Sequence, residues 1–447
     1  MTGLNWGLRV SGLRRILTYR PDGGKNISAL CIFTLVAMIS IGPRINLFHS
    51  PGDFRFQDFT VIPLMLGLTL VFDLRKIMLR SFRSPASHVL ATAQLTIFIS
   101  ATLALIMAVY YSANLTELTI RLGFILRLSE LPLMGILAGR LVLRAGYRGA
   151  RSVLFGLIVG GALNGAWITT QLISGVNRPL FTLSPTVPAM YGPGLVGEGG
   201  VLGTGHYLVI LIAVLGSISL YTSKRTIRYG AIFFTAVAYG FQFAVNSRAS
   251  IVVSTVVVFC IIVLHLAGGK WLSKKMVVAL VLAAIAGITA VAMSNGRLRF
   301  QAVYSAMHQR LHDWHLPTLE AVSGNAFFGL GPGGSRIAIR GETHSSFLLF
   351  IGDFGILGLA LVLALWLILA NVSAIAASGD GDALVRTFAL ASFLISLDWP
   401  IAGLVQDSVL PVNSNHLAVI VVGTFLTVLH LGRKANIGNT RTTYLLK

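Results

Sequence analysis

Acidic side chains are scarce. Only 15 Asp and Glu stand against 35 Lys and Arg in 447 residues. Charge of either sign makes up 11% of the chain, where a soluble globular domain carries roughly 25%. A chain this long and this poor in charge cannot cover itself with a water-facing surface, so a large soluble enzyme is excluded. Cysteine is scarcer still. Cys31 and Cys260 lie far apart inside apolar runs, so neither a disulfide framework nor a cysteine metal cage is implied.

What fills the chain instead is apolar sequence, 55% of all residues, with a mean hydropathy of +0.79. Runs near the roughly 20 residues that cross a bilayer recur from end to end. They predict an all-α polytopic membrane protein, a single transmembrane domain over residues 1–447. About twelve spans are expected near 28–43, 58–74, 88–111, 117–139, 153–174, 204–222, 229–246, 249–267, 276–293, 353–372, 384–403 and 415–432. The basic head (Arg9, Arg14, Arg15, Arg20, Lys25) looks like the start of a signal peptide. No small-x-small cleavage site follows it, so the first helix is read as retained.

The net charge of +20 has two readings, a nucleic-acid partner or membrane orientation. Position decides between them. With the N-terminus cytoplasmic, 24 of the 35 Lys and Arg fall in connectors on the cytoplasmic side and nine on the other. That is the positive-inside bias. It leaves no role for nucleic acid, puts both termini in the cytoplasm, and puts the long polar interval 294–352, between the ninth and tenth spans, on the outer, periplasmic face.

Several polar residues interrupt the spans. Arg121, Arg127 and Glu130 lie well inside the fourth, where ionisable groups face a bundle interior or a wet cavity. Arg127 and Glu130 are i,i+3 neighbours. They read either as a cavity for an anionic lipid head or as a self-contained ion pair. Asn164 and Gln171 in the fifth span read as hydrogen-bonding groups between helices. A Pro- and Gly-rich outer loop, 177–200, either roofs a site or simply connects two spans. Arg248 sits at a tight turn between the seventh and eighth spans, as an anion clamp or as an interfacial arginine.

The 294–352 loop holds five arginines and four histidines. Phe300, Val303, Tyr304, Met307, Leu311 and Trp314 fall on one stripe, predicting a helix over 299–314 that lies along the outer interface with Arg310 beside the stripe. His308, His312 and His315 have i, i+4, i+7 spacing, but Gln309 stands where a zincin has Glu, so interfacial histidines are favoured over a metal site. The run from Gly329 to Gly334 matches GxGxxG without the strand and helix that a nucleotide fold places around it. As a turn, its bare backbone at Gly331, Gly333 and Gly334 lets a phosphate or sugar approach, with Arg336 and Arg340 supplying charge. His344 then precedes a strongly apolar helix. It is a candidate general base at the lip of a membrane cavity, or a plain helix-start residue.

His344-Ser345, nine residues, then Gly355-Ile-Leu-Gly358 resembles the His-[Asn/Ser/Gln]-x9-Gly-x-x-Gly signature of the O-antigen ligase family, which is related to bacterial surface-polysaccharide repeat-unit polymerases. Ser247-Arg248 at an outer turn, Arg310…Trp314 in the outer loop and the glycine turn before the histidine agree in order. The matching features cover roughly 240–360, and Ser345 stands where Asn is common. The resemblance implies a C-type glycosyltransferase-like fold in the bacterial inner membrane. It implies an undecaprenyl-diphosphate-linked glycan donor, a glycan or lipid A–core acceptor, and neither metal nor cofactor. His344 would be the catalytic base, with Arg248 and Arg310 on the donor diphosphate. Ligase and polymerase share these motifs. A flippase or secondary transporter, working through Arg127 and Glu130, is the alternative of another class.

Overall fold

A computed structural model describes residues 23–41, 85–174, 201–245, 247–267, 300–341, 343–404 and 413–444. Among the described residues the protein is helical with no strand. The long helices are α1 (Gly23–Ile41), α2 (Pro85–Tyr111), α3 (Leu115–Ala145), α4 (Tyr147–Ser174), α5 (Val201–Tyr221), α6 (Arg225–Val245) and α7 (Arg248–Leu266). After the large loop come α11 (Ser346–Ser378), α12 (Ala383–Ser396), the short α13 (Asp398–Ala402) and α14 (Asn413–Tyr444). Among the described residues, eight stretches are long and apolar enough to cross a membrane, with α12 and α13 together making one of them. In α1 the apolar stretch is shorter, Lys25–Ser40. The expected spans at 58–74 and 276–293 lie outside the described residues, and so does the loop 177–200.

α5 is the hub. Its residues 203–217 are buried all round, and α4, α6, α7, α12 and α14 pack on it. A helix apolar on every side finds its place only inside a bundle. α6 is the opposite case. Ala231, Thr235, Ala238, Gln242 and Val245 form one buried stripe, while Tyr229, Phe233 and Phe234 point away from the protein. Arg228, Gln242, Tyr229 and Tyr239 lower its hydropathy, which is why α6 is not among the eight stretches although it forms a full helix.

Small residues set the closest approaches. On α4, a Cβ added to Gly156 would sit 2.9 Å from Val36, and one on Gly160 would overlap Ser40. This Gly-x-x-x-Gly seam lets the α1 and α4 backbones meet. Asn164, fully buried one turn later, donates its amide to the Ser40 carbonyl at 2.8 Å. The expectation of an interhelical hydrogen bond at Asn164 is met there.

Candidate functional site

The large loop is mostly helical. α8 (Phe300–Arg310) runs into a π-helical turn (Leu311–His315) and then α9 (Leu316–Val322), so the helix expected over 299–314 continues further. Tyr304, Met307 and Leu311 of its stripe stay exposed, as an interfacial helix requires. The π turn shifts the residues after it around the axis relative to α8, a device frequent at functional sites. Here it delivers Trp314, whose ring centroid lies 4.3 Å from that of His344. The Trp314 carbonyl is taken by the Thr318 hydroxyl at 2.6 Å, which steadies the irregular turn. His315 lies within electrostatic reach of both Arg310 and His344. Burial first, then those two charges, pull its pKa below the ordinary value.

His344 stands one residue before the cap of α11. Ser345 is that cap, accepting the Leu348 N–H at 3.5 Å and donating its hydroxyl to the Gly403 carbonyl at 3.0 Å. The Ser346 N–H goes to the same carbonyl at 2.8 Å. Two non-glycine residues among those described have positive φ, Arg340 and His344, both at 50°. Such strain persists only where the surroundings impose it, and it gathers at working sites. Both residues are among those singled out from the sequence.

Between Trp314 and His344 in sequence lies the glycine turn, and its anchor is Asp353. This carboxylate is fully buried two turns into α11. It accepts the Gly333 N–H at 2.9 Å, the Ser335 N–H at 2.8 Å and the Ser335 hydroxyl at 2.6 Å. From the other side Arg121 of α3, itself buried, donates to the Leu330 and Pro332 carbonyls at 3.2 and 3.1 Å. The backbone laid bare at Gly331, Gly333 and Gly334 therefore faces Arg121 and the first residues of α3. Just past Asp353, Gly355 breaks the helix at φ 68°, ψ −169°. The break frees the Ile356 N–H for Ala326 at 2.9 Å and the Gly352 carbonyl for the Leu330 N–H at 2.8 Å. Loop and helix are stitched together across it. α10 (Gly334–Ile339) carries Arg336, half-buried, and ends at the exposed Arg340.

Arg248 opens α7 at the same end of the bundle. Its neighbours Ser247 and Ser250 press on Gly205 of α5, where a Cβ would come within 2.9 Å of either side chain. The next residue, His206, places Nδ1 2.7 Å from Oδ2 of Asp398 at the start of α13. α13 leads directly to Gly403, the acceptor for Ser345 and Ser346. Arg127 and Glu130 lie deeper in α3. Both are buried, and Glu130 Oε1 lies 3.2 Å from Nε2 of His416 on α14.

The structure thus gathers Arg310, Trp314, His315 and His344 in one cluster, while Arg336 on α10 lies within electrostatic reach of Asp353 and Arg340 caps the end of that helix. It separates Arg127 and Glu130 from that cluster. Sequence reasoning left Asp353, Asp398 and His416 without roles. A carboxylate inside an apolar run was the available signal for the two aspartates, but not the identity of their partners. Among the described residues, no three His, Cys, Asp or Glu side chains converge as a metal site would need. No protein-family model matches the chain, and a search of curated proteins finds no match.

Proposed function

We propose that the protein is a membrane glycosyltransferase of the O-antigen ligase type, acting at the periplasmic face of a bacterial inner membrane. The observation that carries this reading is the cluster around His344: an imidazole in a strained backbone, held against Trp314, with Arg310 and His315 beside it. His344 takes the proton of an acceptor hydroxyl, and the freed oxygen attacks the anomeric carbon of a lipid-linked glycan. The bond from that carbon to the diphosphate breaks, and undecaprenyl diphosphate leaves. Arg310 and Arg248 carry the charge that develops on it. Neither a metal nor a cofactor takes part in this scheme. Lipid A–core is the acceptor in the ligase reading, and a second repeat unit in the polymerase reading.

The test is a gel of surface glycolipids and lipid-linked intermediates from a host lacking the protein, complemented with wild type or His344→Ala. The variant is expected to restore nothing. Long lipid-linked chains beside uncapped lipid A–core indicate ligase, and single lipid-linked repeats indicate polymerase. A normal pattern from His344→Ala overturns the assignment. It would favour the transport alternative, for which the buried Glu130–His416 couple is the specific support and Glu130→Gln the decisive variant.

A further inference from the structure

A second site lies at the opposite end of the bundle, where α1 and α4 begin side by side. Arg148 reaches across to the Asn26 side chain, Nη1 to Oδ1 3.0 Å, and ties the two helix starts together. Further in, the seam at Gly156 and Val36 closes them again. Between tie and seam the helices leave an open groove of about 360 Å³, lined by Ala29, Leu30, Phe33, Arg151, Ser152 and Phe155. Its apolar wall is the stacked pair Phe33 and Phe155, with centroids 5.5 Å apart and planes at 27°. At its mouth stand the exposed Arg151 and the hydroxyl of Ser152.

Two facts say what covers this groove. It opens sideways from an apolar helix pair, so its occupant comes from the bilayer. Its mouth is cationic: neither α1 nor α4 contains an Asp or Glu, and Lys25, Arg144 and Arg148 add positive charge at the same end, where Asp382 near Tyr147 is the acidic side chain within electrostatic reach of the start of α4. Basic pockets between spanning helices on the cytoplasmic side suit anionic headgroups. We propose that this groove binds one anionic phospholipid of the adjacent leaflet, its phosphodiester on Arg151 and Ser152 and one acyl chain along Phe33 and Phe155. The site stands apart from the His344 cluster and does not depend on the function proposed for it.

Native mass spectrometry of the full chain, titrated with phosphatidylglycerol or with phosphatidylcholine of the same chains, tests this. The wild type should retain one phosphatidylglycerol where phosphatidylcholine is lost, and inorganic phosphate should not displace it. Arg151→Gln should weaken that binding about fivefold. Ala29→Phe, which fills the groove, should abolish it, and Arg144→Gln should leave it nearly intact. Equal retention of the two lipids by the wild type would overturn the proposal. So would undiminished phosphatidylglycerol binding by Arg151→Gln or Ala29→Phe, or an equal loss in Arg144→Gln. Displacement by inorganic phosphate would also overturn it, by reducing the site to a simple anion site. The wild-type comparison needs no variant, so a variant that fails to fold leaves the test standing.

Discussion

Ser335 gives both its backbone N–H and its hydroxyl to one oxygen of Asp353, at 2.8 and 2.6 Å, from 18 residues upstream. A buried acceptor with three donors aimed at it tolerates no exchange of acceptor for donor. Asp353→Asn turns one oxygen into an NH₂ group, and in the native geometry that group faces the Gly333 N–H when Ser335 is kept satisfied. The expected loss is about 1–3 kcal/mol. Ser335→Ala, which removes one bond of three, should cost about 1 kcal/mol. Thermal unfolding in detergent ranks the two. If Asp353→Asn melted with the wild type, the carboxylate would not be holding the turn.

Gly355 can be only glycine. Its φ of 68° with ψ of −169° lies in a region essentially closed to other residues, and an added Cβ would overlap the Phe327 carbonyl. Gly355→Ala should therefore cost more than about 3 kcal/mol, strain and overlap together. Gly240→Ala on α6 meets open space and should gain about 0.5–1 kcal/mol. The same melting measurement compares them, and equal midpoints would contradict the break at Gly355.

Arg121 clamps the turn through two carbonyls. Arg121→Met leaves both without their charged donor, and the loss should be about 1.5–3 kcal/mol per bond at most. The more direct readout is limited proteolysis. Cleavage between Leu330 and Arg336 should speed up in the variant while the spanning helices stay intact. Unchanged cleavage would mean that Asp353 alone suffices.

His315 should titrate below the usual 6.5 for histidine. In the window between that value and the lower folded one, the unfolded chain binds the extra proton. Its contribution to stability is therefore complete above pH 6.5 and is lost as the pH falls toward the folded pKa. Arg310→Gln removes one of the two cationic neighbours and should move the titration back upward. Histidine ring NMR across pH 5–8 follows this, and a titration indifferent to Arg310 would separate the two residues.

How much of this was legible in the sequence depended on how far apart the partners lie. Apolar runs located α1 to α7 and α11 to α14, because crossing a bilayer is written in consecutive residues. The stripe from Phe300 to Trp314 gave the loop helix for the same reason. The π turn has no signature of its own, so the swing of Trp314 toward His344 could not be read. The glycines of 329–334 read as a cradle for an outside anion. In the structure the N–H groups of Gly333 and Ser335 serve Asp353, and the carbonyls of Leu330 and Pro332 serve Arg121, more than 200 residues away. Glu130 was read beside Arg127 three residues earlier, and the structure brings His416 to it from another helix altogether. Intramembrane polar residues announce that a partner exists, and the fold alone names it.

The seam between α1 and α4 sets a schedule for synthesis. Val36 and Ser40 are finished long before Gly156, Gly160 and Asn164 leave the ribosome, because some 105 residues separate Ile41 from Tyr147. At about 5–20 residues per second, the 124 positions from Ser40 to Asn164 keep the Ser40 carbonyl waiting for roughly 6–25 s. α3, which also packs on α1, is finished before α4, so what stays open is this particular seam, and any slowing of translation between Ser40 and Asn164 lengthens that exposure.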